Sequence, residues 1–168
     1  MSVLELQITK EFNSANGSGF IDCFSGKYHV YIAMKILTTP LHKFEFMNPF
    51  LKKKRSQRLK MYADMATVTA EFAAKGYVHN DIKPNNFMMD SENLVHLIDY
   101  GTVTTIGEVI TKQSGSFPFV SPLRFIAKSK TVSASDPSHD TYSLAVTYLS
   151  METKYYDNLV WFHYDLTD

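Results

Sequence analysis

The sequence predicts one domain of the α+β class, and three stretches carry that expectation. Val30, Ile32, Met34 and Ile36 alternate with Tyr31, Ala33 and Lys35, the period-two pattern of a strand. Residues 56–75 spread apolar side chains around a helical arc and end at Gly76, a residue suited to stop a helix. Residues 87–89 and 94–98 flank Asp90-Ser91-Glu92-Asn93, a turn-forming string that predicts a small hairpin. At 168 residues and 45% apolar content, the chain has the length and composition of a single globular domain.

The remaining elements follow in order. Residues 3–12 read as a short helix, because Leu4, Ile8 and Phe12 recur every four positions. Residues 13–19 are turn-forming and end it. Residues 20–24 form a candidate strand, Ser25-Gly26-Lys27 a turn, and residues 28–37 the clearer strand that Thr38-Thr39-Pro40 breaks. Residues 41–50 read as a short helix or irregular segment ending at Pro49. In the long helix, Leu59, Ala63, Ala66, Ala70 and Ala73 line one face and Met61, Met65, Val68 and Phe72 the next. So wide an arc predicts a central helix, covered all round. Residues 102–120, rich in Thr, Ser and Gly, are expected to be exposed and mobile. A last helix is predicted from Asp140 through Leu144, Val146 and Leu149, and the aromatic run at 155–162 is expected to add local core.

Seventeen basic residues balance seventeen acidic ones, so the overall charge argues for no particular partner, and neither a nucleic-acid nor a membrane partner is expected. The basic run Lys52-Lys53-Lys54-Arg55, with Arg58 and Lys60, reads as the solvated start of the long helix. One cysteine, Cys23, excludes an internal disulfide and points to a reducing compartment. The first residues lack the basic start and apolar run of a signal peptide, and no stretch approaches the ~20 apolar residues of a membrane span. A soluble, cytoplasmic protein is the expectation. His29, His42, His96, His139 and His163 show no metal-ligand spacing and are read as structural.

Chemistry concentrates in His79-Asn80-Asp81-Ile82-Lys83-Pro84-Asn85-Asn86 and in Asp99-Tyr100-Gly101. Asp81 is suited to accept the proton of an incoming hydroxyl, and Lys83 to meet phosphate charge. Asn86 and Asp99 supply hard oxygen atoms, and Mg²⁺ needs only one or two carboxylates. The predicted hairpin returns the chain so that Asn86 and Asp99 share one end of two paired strands. This set of groups is what phosphoryl transfer from ATP requires.

With its Asp-to-Asn interval and the D-Y-G that follows, the string resembles the eukaryotic protein-kinase family, from its αC helix to its αF helix. The resemblance implies a fold with a reduced N-lobe sheet and hinge in residues 1–37 and a mostly helical C-lobe in residues 38–168. Glu5 resembles the αC glutamate. Met34 would be the gatekeeper, Lys35, Ile36 and Leu37 the adenine-facing hinge, and Met88 the residue beneath the adenine. Asp81, Lys83, Asn86 and Asp99 match catalytic and metal positions. Residues 115–122 resemble the end of the activation segment, where Ser116 would hydrogen-bond Asp81 and Lys83. Lys83 and Ser116 together fit a Ser/Thr rather than a Tyr kinase pattern. Asp140 matches the αF aspartate that anchors the catalytic loop.

The chain departs from that pattern in places. Asn80 stands where the family has an arginine that pairs with an activation-loop phosphate, so Thr102, Thr104, Thr105 and Thr111 are poor candidates for activating phosphosites. Leu123 stands where the family has a glutamate. With Glu5 in αC, the glycine-rich loop and the strand of the ATP-binding lysine have no counterpart. Ala33-Met34-Lys35 is a weaker candidate for that strand, because no glycine loop precedes it. The expected activity is Ser/Thr phosphotransfer with ATP and Mg²⁺ onto a protein substrate. The alternative is a kinase mimic that binds a full kinase or its substrate. A small-molecule phosphotransferase shares the acidic arrangement, but Lys83 and residues 115–122 fit it less well.

Overall fold

In a computed structural model, residues 3–12, 17, 19–42, 54–110, 115–126 and 133–152 are described. The fold is α+β, as expected. The chain opens with helix α1 (Val3–Glu11) and a hairpin of β1 (Phe20–Ser25) and β2 (Val30–Met34). Strand β3 (Thr39–Pro40) precedes the long helix α2 (Arg55–Ala74). Then come β4 (Tyr77–Val78), β5 (Phe87–Met89), β6 (Val95–Leu97), β7 (Thr104–Thr105) and β8 (Val109–Ile110). Helix α3 (Pro122–Ile126), β9 (Ser133–Ala134) and α4 (Pro137–Glu152) complete the described chain. Among the described residues the strands form four antiparallel groups, β1–β2, β3–β5–β6, β4–β7 and β8–β9.

Helix α2 organises the core. Gln57 Oε1 accepts from the Lys54 amide at 3.2 Å and fixes its first turn. At its other end the Gly76 amide donates to Ala73 O at 3.0 Å while Gly76 adopts φ +84°, a left-handed stop that favours glycine. Met61, Met65, Val68 and Phe72 face a core shared with Ile8, Phe12, Phe87, Val95 and Leu97. The Phe12 and Phe72 rings stack at 3.8 Å, and Tyr100 lies 5.2 Å from Phe72. Lys75 crosses the end of α1, with Nζ 2.6 Å from Glu11 O and 4.6 Å from the Phe12 ring.

Several expectations change. The alanine face of α2 is not covered among the described residues: Ala63, Ala66 and Ala70 are exposed and Leu59 is 54% exposed. Helix α4 crosses beside that face and leaves a groove of about 240 Å³ between them, lined on α2 by Ala66, Ala70 and Ala73 and on α4 by Pro137, Thr141 and Leu144. Strand β2 ends at Met34, and among the described residues none of its side chains is fully buried, with Val30, Tyr31 and Met34 exposed. Part of the 102–120 stretch is internal, with Val103, Phe119 and Val120 buried. Helix α4 starts three residues before Asp140, because Asp136 caps it by accepting the Ser138 amide at 2.7 Å and Pro137 suits its first turn. The expectations for 43–50 and 155–162, and those for Thr111 and His163, lie outside the described residues.

Candidate active site

The loop between β4 and β5 is held from beneath by α4. Asp140 is buried, and its Oδ2 and Oδ1 accept the consecutive amides of His79 and Asn80 at 2.6 and 2.9 Å. Burial pushes the Asp140 carboxyl above its ordinary range, while His79, the two amides and Arg124 act against that shift. His79 is fully buried, and burial holds its imidazole below the usual histidine range, hence neutral. A neutral ring protonated at Nε2 fits both neighbours. Nε2 meets Ile98 O at 3.3 Å, and Nδ1 accepts the Asp81 amide at 3.4 Å.

On this base three side chains close a ring. Lys83 Nζ lies 2.6 Å from Asp81 Oδ2 and 2.6 Å from Ser116 Oγ. Ser116 Oγ in turn donates to Asp81 Oδ1 at 2.9 Å. The Asp81 and Lys83 side chains are 11% and 20% exposed, so the ring sits at the surface yet shielded enough to matter electrostatically. Ser116 comes from a segment more than thirty residues away, and its arrival here matches the sequence expectation.

Asn86 ends a short 3₁₀ turn, Pro84–Asn86, that leads directly into β5. Its Nδ2 donates to Asp81 O at 2.8 Å and to Asp81 Oδ2 at 3.0 Å, so the side-chain carbonyl oxygen is what Asn86 offers a cation. Pairing of Phe87 with Leu97, extended by the Ile98 amide on Asn86 O at 2.9 Å, returns the chain to Asn86 just before Asp99. Asp99 is exposed, adopts φ +65°, and accepts the Gly101 amide at 3.4 Å. A carboxylate and an amide oxygen at the open end of one hairpin, opposite its Asp90–Leu94 turn, suit Mg²⁺, whose remaining positions go to water and phosphate oxygens. Among the described residues, no cluster of three or more His, Cys, Asp or Glu side chains forms an all-protein cage.

Of the residues expected around an adenine, Met34 ends β2, Lys35 and Ile36 follow it, and Met88 is on β5. Met88 is half-buried on the face of β5 opposite buried Phe87 and Met89, across from Pro40 and His96. Met34 closes β2 and is 38% exposed, and Ile36 is 82% exposed. Lys35 Nζ binds Asp90 Oδ2 at 2.7 Å. Asp90 is a polar hub that sequence reading treated only as a turn residue. Burial raises its carboxyl, but Lys35, His96 and the Leu94 and Glu92 amides overcome that and hold it well below the usual carboxylate range.

Asn80 is a second hub. It is 5% exposed at φ +70°, a left-handed conformation that asparagine tolerates. Its Nδ2 faces Val78 O at 3.1 Å, Thr102 O at 2.8 Å and Thr104 Oγ1 at 2.8 Å, and its Oδ1 accepts Arg124 Nη1 at 2.6 Å. Arg124 sits in α3 next to Leu123, and no local signal in the sequence marks it as internal.

A family model described as "Protein kinase domain" matches residues 2–158. Sperm motility kinase Z of Mus musculus is 23% identical over 90% of this chain and 30% of its own length. Cyclin-dependent kinase 7 of Dictyostelium discoideum is 27% identical over 92% of this chain and 43% of its own. Serine/threonine-protein kinase D of Synechocystis is 32% identical over 55% of this chain and 19% of its own. The chain thus spans less than half the length of each of these three relatives.

Proposed function

The chain belongs to the protein kinase domain family, and from that membership we propose that it transfers the γ-phosphoryl group of ATP to serine or threonine hydroxyls of a protein substrate. The observation that carries the proposal is the closed ring of Asp81, Lys83 and Ser116 beside Asn86 and Asp99. Asp81 orients the acceptor hydroxyl and takes its proton, while Lys83 offsets charge on the moving phosphoryl group. Ser116 holds both against the segment on which an acceptor would lie. Asn86 and Asp99 are the residues to hold Mg²⁺, which when bound neutralises the β- and γ-phosphate oxygens. Met34, Lys35, Ile36 and Met88 are the residues proposed to line the adenine. An intracellular setting, where ATP and a reduced Cys23 coexist, suits this reading.

The test is transfer of phosphate from Mg-ATP to a protein acceptor by the purified chain. Asp81→Asn should lower the rate by roughly 10²- to 10⁴-fold, and Asp99→Ala should abolish it. Transfer that survives Asp99→Ala would sink the metal assignment.

One observation favours a second reading, a non-catalytic mimic that binds a full kinase or its substrate. The β1–β2 hairpin exposes Ile21, Phe24, Tyr28 and Tyr31 at 67%, 57%, 78% and 60%, an apolar surface of the kind that partners cover. Co-purification with a kinase that is lost in Phe24→Ser, in a chain unable to bind Mg-ATP, would favour the mimic over the enzyme.

A further inference from the structure

Both ends of the segment that delivers Ser116 meet at one residue. Gly115 passes so close to Asn80 that a side-chain carbon there would sit 3.1 Å from Asn80 O, and its φ of +107° likewise favours glycine. At the other end Arg124 reaches back to donate to Asn80 Oδ1 at 2.6 Å. Asn80 is itself fixed, by its amide on Asp140 and by its Nδ2 on Val78 O, Thr102 O and Thr104 Oγ1. Thr104 Oγ1 continues the chain to Ser135 Oγ at 2.6 Å.

The middle of the segment is tied to α4 independently. Ser143 Oγ donates to Phe119 O at 2.7 Å, and Ser121 Oγ pairs with His139 Nδ1 at 2.7 Å. Arg124 is only 5% exposed, and a buried arginine whose guanidinium donates to an asparagine oxygen is a costly arrangement for a residue with no task beyond solubility.

We propose that Asn80 and Arg124 form a clasp that holds both ends of the 115–126 segment against the catalytic loop and so keeps Ser116 on Asp81 and Lys83 without a phosphate on that segment. The positioning role rests on the phosphotransfer reading above, whereas the clasp itself does not. Arg124 and Asn80 are positioning residues, since they act through Ser116.

Hydrogen exchange over residues 115–126 of the whole chain, pretreated with phosphatase, separates the two questions. Arg124→Met keeps the length of the side chain and removes the donor, so exchange of the segment should quicken roughly ten- to hundredfold while that of α2 stays unchanged. Arg124→Lys, which keeps the charge, should quicken it less. Thr104→Val, which takes one acceptor from Asn80, should act in the same direction and decides the matter if Arg124→Met does not fold. Segment exchange equal to wild type in a folded Arg124→Met, or in Thr104→Val when that variant alone folds, overturns the clasp. So does a segment in the wild type that loses its protection on phosphatase treatment.

With dephosphorylated casein as acceptor, Arg124→Met should raise KM for casein about tenfold at unchanged KM for ATP. A kcat and a KM for casein both equal to wild type would overturn the positioning role. A wild-type chain that transfers no phosphate refutes the phosphotransfer reading and the positioning role with it, and the exchange data still decide whether the clasp exists.

Discussion

Asp140 accepts two adjacent backbone amides of the loop between β4 and β5, a task that needs both carboxylate oxygens. Asn at this position would turn an NH₂ group toward one of those amides, leaving a buried donor facing a donor. Asp140→Asn should therefore destabilise the protein by about 3 kcal/mol, read from urea unfolding; a cost within about 0.5 kcal/mol of zero would show that the loop is held elsewhere. Asp90 makes a different prediction. Its carboxylate takes Lys35 Nζ, His96 Nε2 and the Glu92 and Leu94 amides. Because the carboxyl titrates lower in the folded than in the unfolded chain, its stabilisation is present above about pH 4 and is lost as pH falls toward the folded value. Asp90→Asn should cost about 2 kcal/mol at neutral pH, and the gap from wild type should narrow below about pH 4. A gap that stays constant down to about pH 3 would contradict that assignment.

At the scale of elements, the hydrophobic pattern located α2 and the β5–β6 hairpin to within a residue or so of their ends, because both bury a continuous apolar face. The D-I-K-P string likewise marked Asp81, Lys83 and Asn86, which the structure brings together with Ser116. Residues whose burial depends on distant partners were not legible. Nothing local in the sequence marks Arg124 as internal, and only Asn80 beside it shows its place. His96 reads as an isolated histidine until Gly17 O and Asp90 are placed at its two nitrogens. The start of α4 did have a signal, Asp136-Pro137, that a search for apolar periodicity alone passes over. The alanine face of α2 shows the converse error, since small apolar side chains satisfy a periodic pattern whether or not anything covers them. The core face is different. Phe72 touches Phe12, His79 and Tyr100, thereby linking α1, the β4–β5 loop and the turn after Asp99. Phe72→Ala should cost about 3–5 kcal/mol, and retention of the wild-type thermal midpoint would contradict so central a role.

For the molecule as a whole, the core around α2 fixes the β5–β6 hairpin, which sets Asn86 beside Asp99, while α4 fixes the loop that carries Asp81 and Lys83. Nucleotide binding should draw on both halves of that scaffold. The most direct measurement is a thermal-shift titration of the chain with Mg-ATP. At a concentration of about 100 times Kd, binding adds about 2.7 kcal/mol, or roughly 5–10 °C for a chain of this size. The account predicts that rise in the wild type and its loss in Asn86→Ala and Asp99→Ala. No shift in the wild type, or an equal shift in all three proteins, would contradict it.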